Sequence, residues 1–334
     1  MGATLAVSER ERAIGDFLRA CGWEAAQREV LAADASFRRY DRLRRQGEKA
    51  VLMDAPPPKE DVRPFIAIAR HLLSLGYSAP RLLAEDPESG LLLLEDLGDA
   101  TFTRLLAEGS DEAALYRLAV DLLIDLHRQA PPAGLAPYDC DKLLAEAMLL
   151  IDWYAPAIGR DLADEARQSY VAAWRQVLVL ARGVPDRLVL RDFHVDNLMR
   201  LEGRQGVAQC GLLDFQDAVV GPVTYDLLSL LEDARRDVSP AVIASLRAHY
   251  LQAFPALSPA AFDASWACLA AQRHAKVIGI FTRLARRDRK PDYLRHIPRV
   301  WRLLEAALAH PGLAPVADWL ARHLPPEQRA VPSP

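Results

Sequence analysis

Apolar positions along the chain change period several times, and each change predicts an element. Ile14, Phe17, Leu18 and Cys21 recur at helical spacing, which predicts an amphipathic helix near the N-terminus. Residues 34–54 then shift to two strand-like segments, DASFRRYDRL and KAVLMDA, separated by RRQGE with its turn-prone Gly47, and this pattern predicts a hairpin. Pro56-Pro57-Pro58 stops the second strand, because proline has no N–H to give to a ladder. Residues 61–75 predict a helix with Phe65, Ile68, Leu72 and Leu75 on one face and Gly76 as its stop. Arg81-Leu82-Leu83 and Leu91 to Leu94 flank the turn-rich EDPESG and predict two more short strands.

After Gly98 the period becomes helical. Leu115, Leu118, Leu122 and Leu126 mark a long amphipathic helix, others are predicted over 139–153 and 161–180, and the chain is helical again from about residue 225. Two apolar strands interrupt this region, Leu188-Val189-Leu190 and Gly211-Leu212-Leu213. The expectation is an α+β protein: a small β-rich N-terminal lobe over residues 1–97 that binds nucleotide, and a large, mostly helical C-terminal lobe over residues 98–334 that carries catalysis and substrate. Composition adds little: 334 residues, 51% hydrophobic and 26% charged, are ordinary for globular chains and ample for a core. A net charge of −4 gives no global pull toward nucleic acid or an anionic membrane surface. Four scattered cysteines without a CxxC pair argue against zinc and against a disulfide framework. With no signal-peptide pattern and no membrane-length apolar run, a soluble cytoplasmic protein is expected.

The chemistry concentrates in LVLRDFHVDNLM, residues 188–199, and GLLDFQD, residues 211–217. An apolar strand leads into a polar loop carrying Asp192, Asn197 follows five positions later, and a second apolar strand ends in Asp214. Phosphoryl transfer needs a carboxylate to accept the hydroxyl proton, plus an amide oxygen and a second carboxylate to hold magnesium on the phosphates. Asp-x4-Asn is a common loop pattern by itself. Its weight comes from both aspartates sitting at strand ends, from a spacing that suits a hairpin joining the two motifs, and from a small β-rich lobe preceding a helical one. These features predict a bilobal protein-kinase-like fold using ATP and Mg2+.

D-F-H-x-x-N followed by L-D-F-x-D resembles the aminoglycoside phosphotransferase and choline kinase superfamily rather than protein kinases, which carry DFG where this chain has Asp214-Phe215-Gln216-Asp217. The stretches LRDFHVDNLM, GLLDFQDAVVGPVTYDLLSLLEDARRDV and KVIGIFTRLARRD are similar, more narrowly, to bacterial kinases that phosphorylate N-acetylmuramate and N-acetylglucosamine at C1 in cell-wall recycling. The resemblance implies an ATP-dependent phosphotransferase with an alcohol acceptor. Asp192 is then the catalytic base, Asn197 and Asp214 ligate magnesium, and the Glu95-Asp96-Leu97-Gly98 segment, through Glu95 and Leu97, holds adenine. Two departures stand out: Met53 occupies the place of a phosphate-binding strand lysine, and the helix over 61–75 has no glutamate in its body to partner one. Ser36, with Arg38 or Arg39, is expected to take the phosphate contact instead.

For the acceptor, residues 271–302 hold ten Lys/Arg against Asp288 and Asp292, which suits an anionic sugar better than a polycationic aminoglycoside. Arg283, Lys276 and His274 are candidates for the acid group; Trp153-Tyr154 could stack on a sugar with Asp152 on a hydroxyl, and His194 braces the catalytic loop. His127 is expected to support that loop or cap a helix. The expected partner is a small amino sugar, with no nucleic acid or membrane partner, acting on a monomer. Another alcohol acceptor, aminoglycoside or choline-like, and a nucleotide-binding pseudokinase are the competing readings.

Overall fold

The structure, a computed structural model, describes residues 2–33 and 37–333, with residues 2–8, 32 and 33 as backbone only. In chain order it contains α1 (Gly2–Ala20), β1 (Gln27–Ala33), β2 (Arg39–Arg45), β3 (Glu48–Asp54), α2 (Arg63–Ser74), β4 (Leu82–Asp86), β5 (Leu91–Glu95) and α3 (Phe102–Ala107). Then follow α4 (Glu112–Arg128), α5 (Cys140–Ala147), the single turn α6 (Ala155–Ala157), α7 (Asp164–Val177), β6 (Asp186–Val189), β7 (Leu198–Arg200), β8 (Cys210–Leu212) and β9 (Val219–Pro222). The chain closes with α8 (Thr224–Leu231), α9 (Pro240–Ala253), α10 (Pro259–Asp288), α11 (Ile297–Leu308) and α12 (Ala314–His323). No described helix is long and apolar enough to cross a membrane.

Two compact units emerge, Met1–Ala107 with Asp196–Asp217, and Glu108–Val195 with Ala218–Pro334. A linear division at residue 97 does not anticipate that the β7–β8 segment belongs with the N-terminal unit. In that first unit an antiparallel sheet runs in the order β1-β2-β3-β5-β4. The β2–β3 turn is the tight one expected at Gly47: Gln46 and Gly47 take φ of 49° and 85°, the conformation that matches strand twist. Alternation sends Leu43, Ala50, Leu52, Leu91 and Leu93 to one face, where they pack on Ile14, Phe17 and Leu18 of α1 and on Trp23. Each leucine, isoleucine or phenylalanine among them contributes about 1.5–3 kcal/mol on full burial. The register pairs Tyr40 with Met53 and Met53 with Leu92, and Arg42 with Val51 and Val51 with Leu94, on the opposite face.

Two sequence expectations need correction. The first strand is β1, which periodicity missed: Gln-Arg-Glu-Val-Leu-Ala-Ala is rich in helix formers, and as a sheet edge it leaves Val30 and Leu31 exposed. The hairpin expected between the two chemical motifs is present as β7–β8 and joins Asn197 to Asp214, but it leaves out the strand that leads to Asp192. β6 pairs with β9 in the second unit, while β7 pairs with β8 in the first.

The second unit is built around α10, whose buried positions continue from Phe262 to Ala285. Gly279 lets that helix approach the backbone at Leu149, since a Cβ there would collide with the Leu149 carbonyl group. The helix expected over 139–153 stops at Ala147 and resumes as a wider i→i+5 turn over Leu150–Tyr154. Asp111 and Asp139 cap α4 and α5, accepting from the backbone N–H of Ala114 (3.2 Å) and Lys142 (2.8 Å).

Candidate active site

In the second unit, β6 delivers the chain to Asp192 through Arg191, which takes φ 70°. A non-glycine residue in that region costs on the order of 1 kcal/mol and persists only where its surroundings fix it. Here they do. The fully buried Asp226 of α8 accepts from the backbone N–H of Leu190 (2.6 Å) and Arg191 (2.9 Å). Burial, with Asp192 adding to it, pushes the Asp226 carboxyl up to about 7 against the pull of those two N–H groups and of Arg273. The Arg191 guanidinium is held by Glu146 of α5, which also receives Lys276 at 3.0 Å. Burial alone would raise Glu146; Lys276 and Arg191 outweigh it and keep the carboxyl below its ordinary value.

Asp192 lies in a recess of about 80 Å3, shared with His194, Tyr225, Arg235, Arg273 and Lys276. His194 is buried, and burial together with Arg235 and Arg273 drives its pKa well below the ordinary value, so the ring is neutral. Apart from Asp192, every charged residue lining this recess is a cation.

In the first unit the β7–β8 ladder positions the other two catalytic candidates. Leu198 pairs with Leu212, and the N–H of Leu213 donates to the Asn197 carbonyl at 3.0 Å. That continuation sets the Asn197 amide 3.4 Å from the Asp214 carboxylate, although 17 residues separate them. Asp214 takes φ 56°, and its other oxygen accepts from Gln216 at 2.8 Å. An aspartate carboxylate and an asparagine amide oxygen are hard donors of the kind magnesium uses, although here the Asn197 Nδ2–H is the group that faces Asp214, and both residues line a recess of about 470 Å3. Val51 and Leu94 of the sheet, Leu97, and Met199 and Leu213 of the ladder give that recess apolar walls. Arg42 fixes its rim, pairing with Asp96 (2.8 Å) and Asp99 (2.8 Å) and donating to the Gly98 carbonyl (3.1 Å). The Glu95 side chain is occupied by Arg204 (2.8 Å) and Arg81 (3.2 Å), and its N–H donates to Arg81. These donors and walls fit a purine base and a magnesium-bound triphosphate.

Among the phosphate candidates, Ser36 lies outside the described residues. The two arginines separate cleanly. Arg38 pairs with Glu60 at 3.0 Å and reaches to 3.8 Å from Asp214, whereas the more exposed Arg39 turns to Asp41 at 2.9 Å. Met53 is buried on the same sheet face as Val51, and α2 contains no glutamate, so both departures from the lysine–glutamate arrangement stand.

A model of the phosphotransferase enzyme family matches residues 27–262. The chain belongs to that family. Among curated proteins, this phosphotransferase is 38% identical to an N-acetylmuramate/N-acetylglucosamine kinase of Caulobacter vibrioides, over 96% of its own length and 99% of that protein's. A Pseudomonas aeruginosa protein of the same name is 41% identical over 90% of each chain. Among solved structures, the choline kinase of Streptococcus pneumoniae superposes with a TM-score of 0.64 at 13% identity, covering 89% of this phosphotransferase and 99% of that chain. The expected kinase-like α+β fold is thereby borne out.

The remaining sequence candidates of the phosphotransferase fall away from the Asp192 recess. Asp152 is exposed and paired with Arg167. Trp153 is half-buried, and Tyr154 is wholly buried against Trp301, its hydroxyl donating to the Ala330 carbonyl at 2.9 Å. Burial pushes that phenol up to about 12, and neither ring face is open for a sugar to stack on. Arg283 is half-buried one helical turn beyond the recess lining, its pKa lowered by burial and by Arg287. His274 is committed to Glu232 at 2.7 Å. His127 is buried and exchanges a hydrogen bond with Tyr250 at 2.6 Å. Sequence reasoning missed Asp226, Glu146, Arg273 and Glu60. Asp226 alone carried a signal, as a carboxylate inside the apolar run TYDLLSLL.

Proposed function

We propose that this chain is an ATP-dependent sugar kinase that phosphorylates the anomeric C1 hydroxyl of N-acetylmuramate and N-acetylglucosamine. The observation that carries the reading is the cationic lining around Asp192: a positively charged acceptor such as an aminoglycoside or choline would meet Arg235, Arg273 and Lys276 there, whereas an acidic or neutral sugar would not be repelled. The names of the full-length relatives point to the same acceptors.

Asp192 accepts the proton of the sugar hydroxyl as that oxygen bonds to the terminal phosphorus and the bond to the leaving diphosphate oxygen breaks. Asp226 and Glu146, acting through the loop backbone and Arg191, keep Asp192 in place. Asn197 and Asp214 would hold magnesium, which when bound neutralises phosphate charge. Arg38, steadied by Glu60, takes the role of the absent strand lysine, and Arg39 does not. Leu97, Val51 and Met199 would enclose the base. Work in a reducing compartment such as the cytoplasm belongs to the same reading, supported by four free cysteines.

Turnover with ATP, magnesium and a panel of acceptors tests the proposal. N-acetylmuramate and N-acetylglucosamine should be consumed and kanamycin and choline should not. Consumption of either cation in preference to both sugars would overturn it.

A further inference from the structure

We propose that Arg273 is the specificity-determining residue for acidic acceptors, binding a sugar-borne carboxylate in the recess beside Asp192. The inference rests on the sugar-kinase reading above and names the group that is recognised.

The side chains around Arg273 on α10 each have a partner for a donor group, although Gln272 Oε1 and His274 Nδ1 have none among the described residues. Gln272 donates to the Leu143 carbonyl (2.9 Å), His274 meets Glu232 (2.7 Å), and Lys276 meets Glu146 (3.0 Å). Arg273 differs in joining an unpartnered donor to a permanent positive charge at the recess. It is 5% exposed, lines the recess, and its Nη1 is shut off from bulk water without an acceptor among the described residues. The carboxylate that acts on it, Asp226, spends its two oxygens on the backbone N–H groups of Leu190 and Arg191. A buried guanidinium with an unfilled donor is costly, and it persists where a ligand completes it.

An anion suits the guanidinium charge best, and a planar carboxylate matches the guanidinium fork in two parallel hydrogen bonds. The recess, about 80 Å3, has room for a short acid-bearing substituent and not for a whole sugar, and Val277, Ile280 and Phe281 give it an apolar wall against the substituent's carbon atoms. N-acetylmuramate carries such an ether-linked acid; N-acetylglucosamine has only a hydroxyl at that carbon. A terminal phosphate of the nucleotide shares the anionic chemistry, so the test must separate the two.

The experiment measures kcat/KM for N-acetylmuramate and for its uncharged methyl ester, with the KM for ATP and the ligand-free melting temperature, in wild type, Arg273→Met and Arg273→Lys. Calorimetric binding of both sugars without nucleotide is the second readout. Wild type should prefer the acid at least tenfold, chiefly through KM. Arg273→Met should bring the ratio near one, and Arg273→Lys, which keeps the charge and loses the fork, should fall between them and serves if the methionine variant does not fold. The ATP KM should move less than threefold. An acid preference that survives both substitutions, or a rise in ATP KM with an unchanged acid-to-ester ratio, overturns the inference and leaves the sugar-kinase reading intact. Wild-type enzyme that neither binds nor turns over any of these sugars removes both.

Discussion

The two recesses are lined by opposite means. In the first unit, the walls are largely apolar and the nearby cations are already paired: Arg42 with Asp96 and Asp99, Arg204 with Glu95, Arg38 with Glu60. In the second unit, Asp192 sits among Arg191, Arg235, Arg273 and Lys276, with Glu146 shared between Arg191 and Lys276. A neutral flat base needs shape and a few fixed polar groups, so its site can balance its own charges. An acidic acceptor needs a donor left over for it, and the buried Nη1 of Arg273 is such a donor, whereas Arg191 and Lys276 share Glu146.

Removing the base should have the largest effect. Asp192→Asn is expected to lower kcat by about 10²–10⁴, while calorimetric affinities for ATP and sugar stay within a few fold. Loss of sugar binding in place of turnover would show that Asp192 holds the acceptor and does not accept its proton.

The next test separates the two arginines of the first unit. A charged hydrogen bond to phosphate is worth roughly 1.5–3 kcal/mol, so Arg38→Met should cost about tenfold to a hundredfold in kcat/KM for ATP. Arg39→Met, whose guanidinium pairs with Asp41, should change it less than twofold. Equal effects would dissolve the distinction between them.

The smallest expected effect concerns pH, and it contrasts the two units directly. His127, His194 and His274 are all buried in the second unit with lowered pKa, whereas the first unit has only His71 among its described residues. For His127, burial and then Arg187 bring the pKa down to about 3. The unfolded ring takes up a proton near pH 6.5 and the folded one refuses it, so stability from this residue is complete above that pH and is lost as pH falls. Between pH 6.5 and 5 the loss should be about 2 kcal/mol in denaturant titrations. His127→Gln should flatten that slope, and an unchanged slope would place the acid sensitivity elsewhere.

How much of this was legible in the sequence depended on distance along the chain. Asp192, Asn197 and Asp214 were readable because each lies at a strand end in a short motif. Their supports were not, because Asp226 is 35 residues from the Arg191 N–H it fixes, Glu146 is 45 from the same residue's guanidinium, and Glu60 is 22 from Arg38. Charge density along α10 drew attention to that helix, yet it could not separate Arg273 from Arg283, because only packing leaves one buried at the recess and the other half-buried beyond it. Tyr154 shows the same limit: an aromatic ring looks alike in sequence whether it meets a sugar or, as here, packs at a tilt against Trp301.

Phosphorus NMR of the product formed from ATP, magnesium and N-acetylmuramate tests the assignment most directly. One sugar phosphate whose phosphorus couples to the anomeric proton H1 is the expected result. A phosphorus coupled to the C6 protons, or no sugar phosphate from folded wild-type protein, would contradict it.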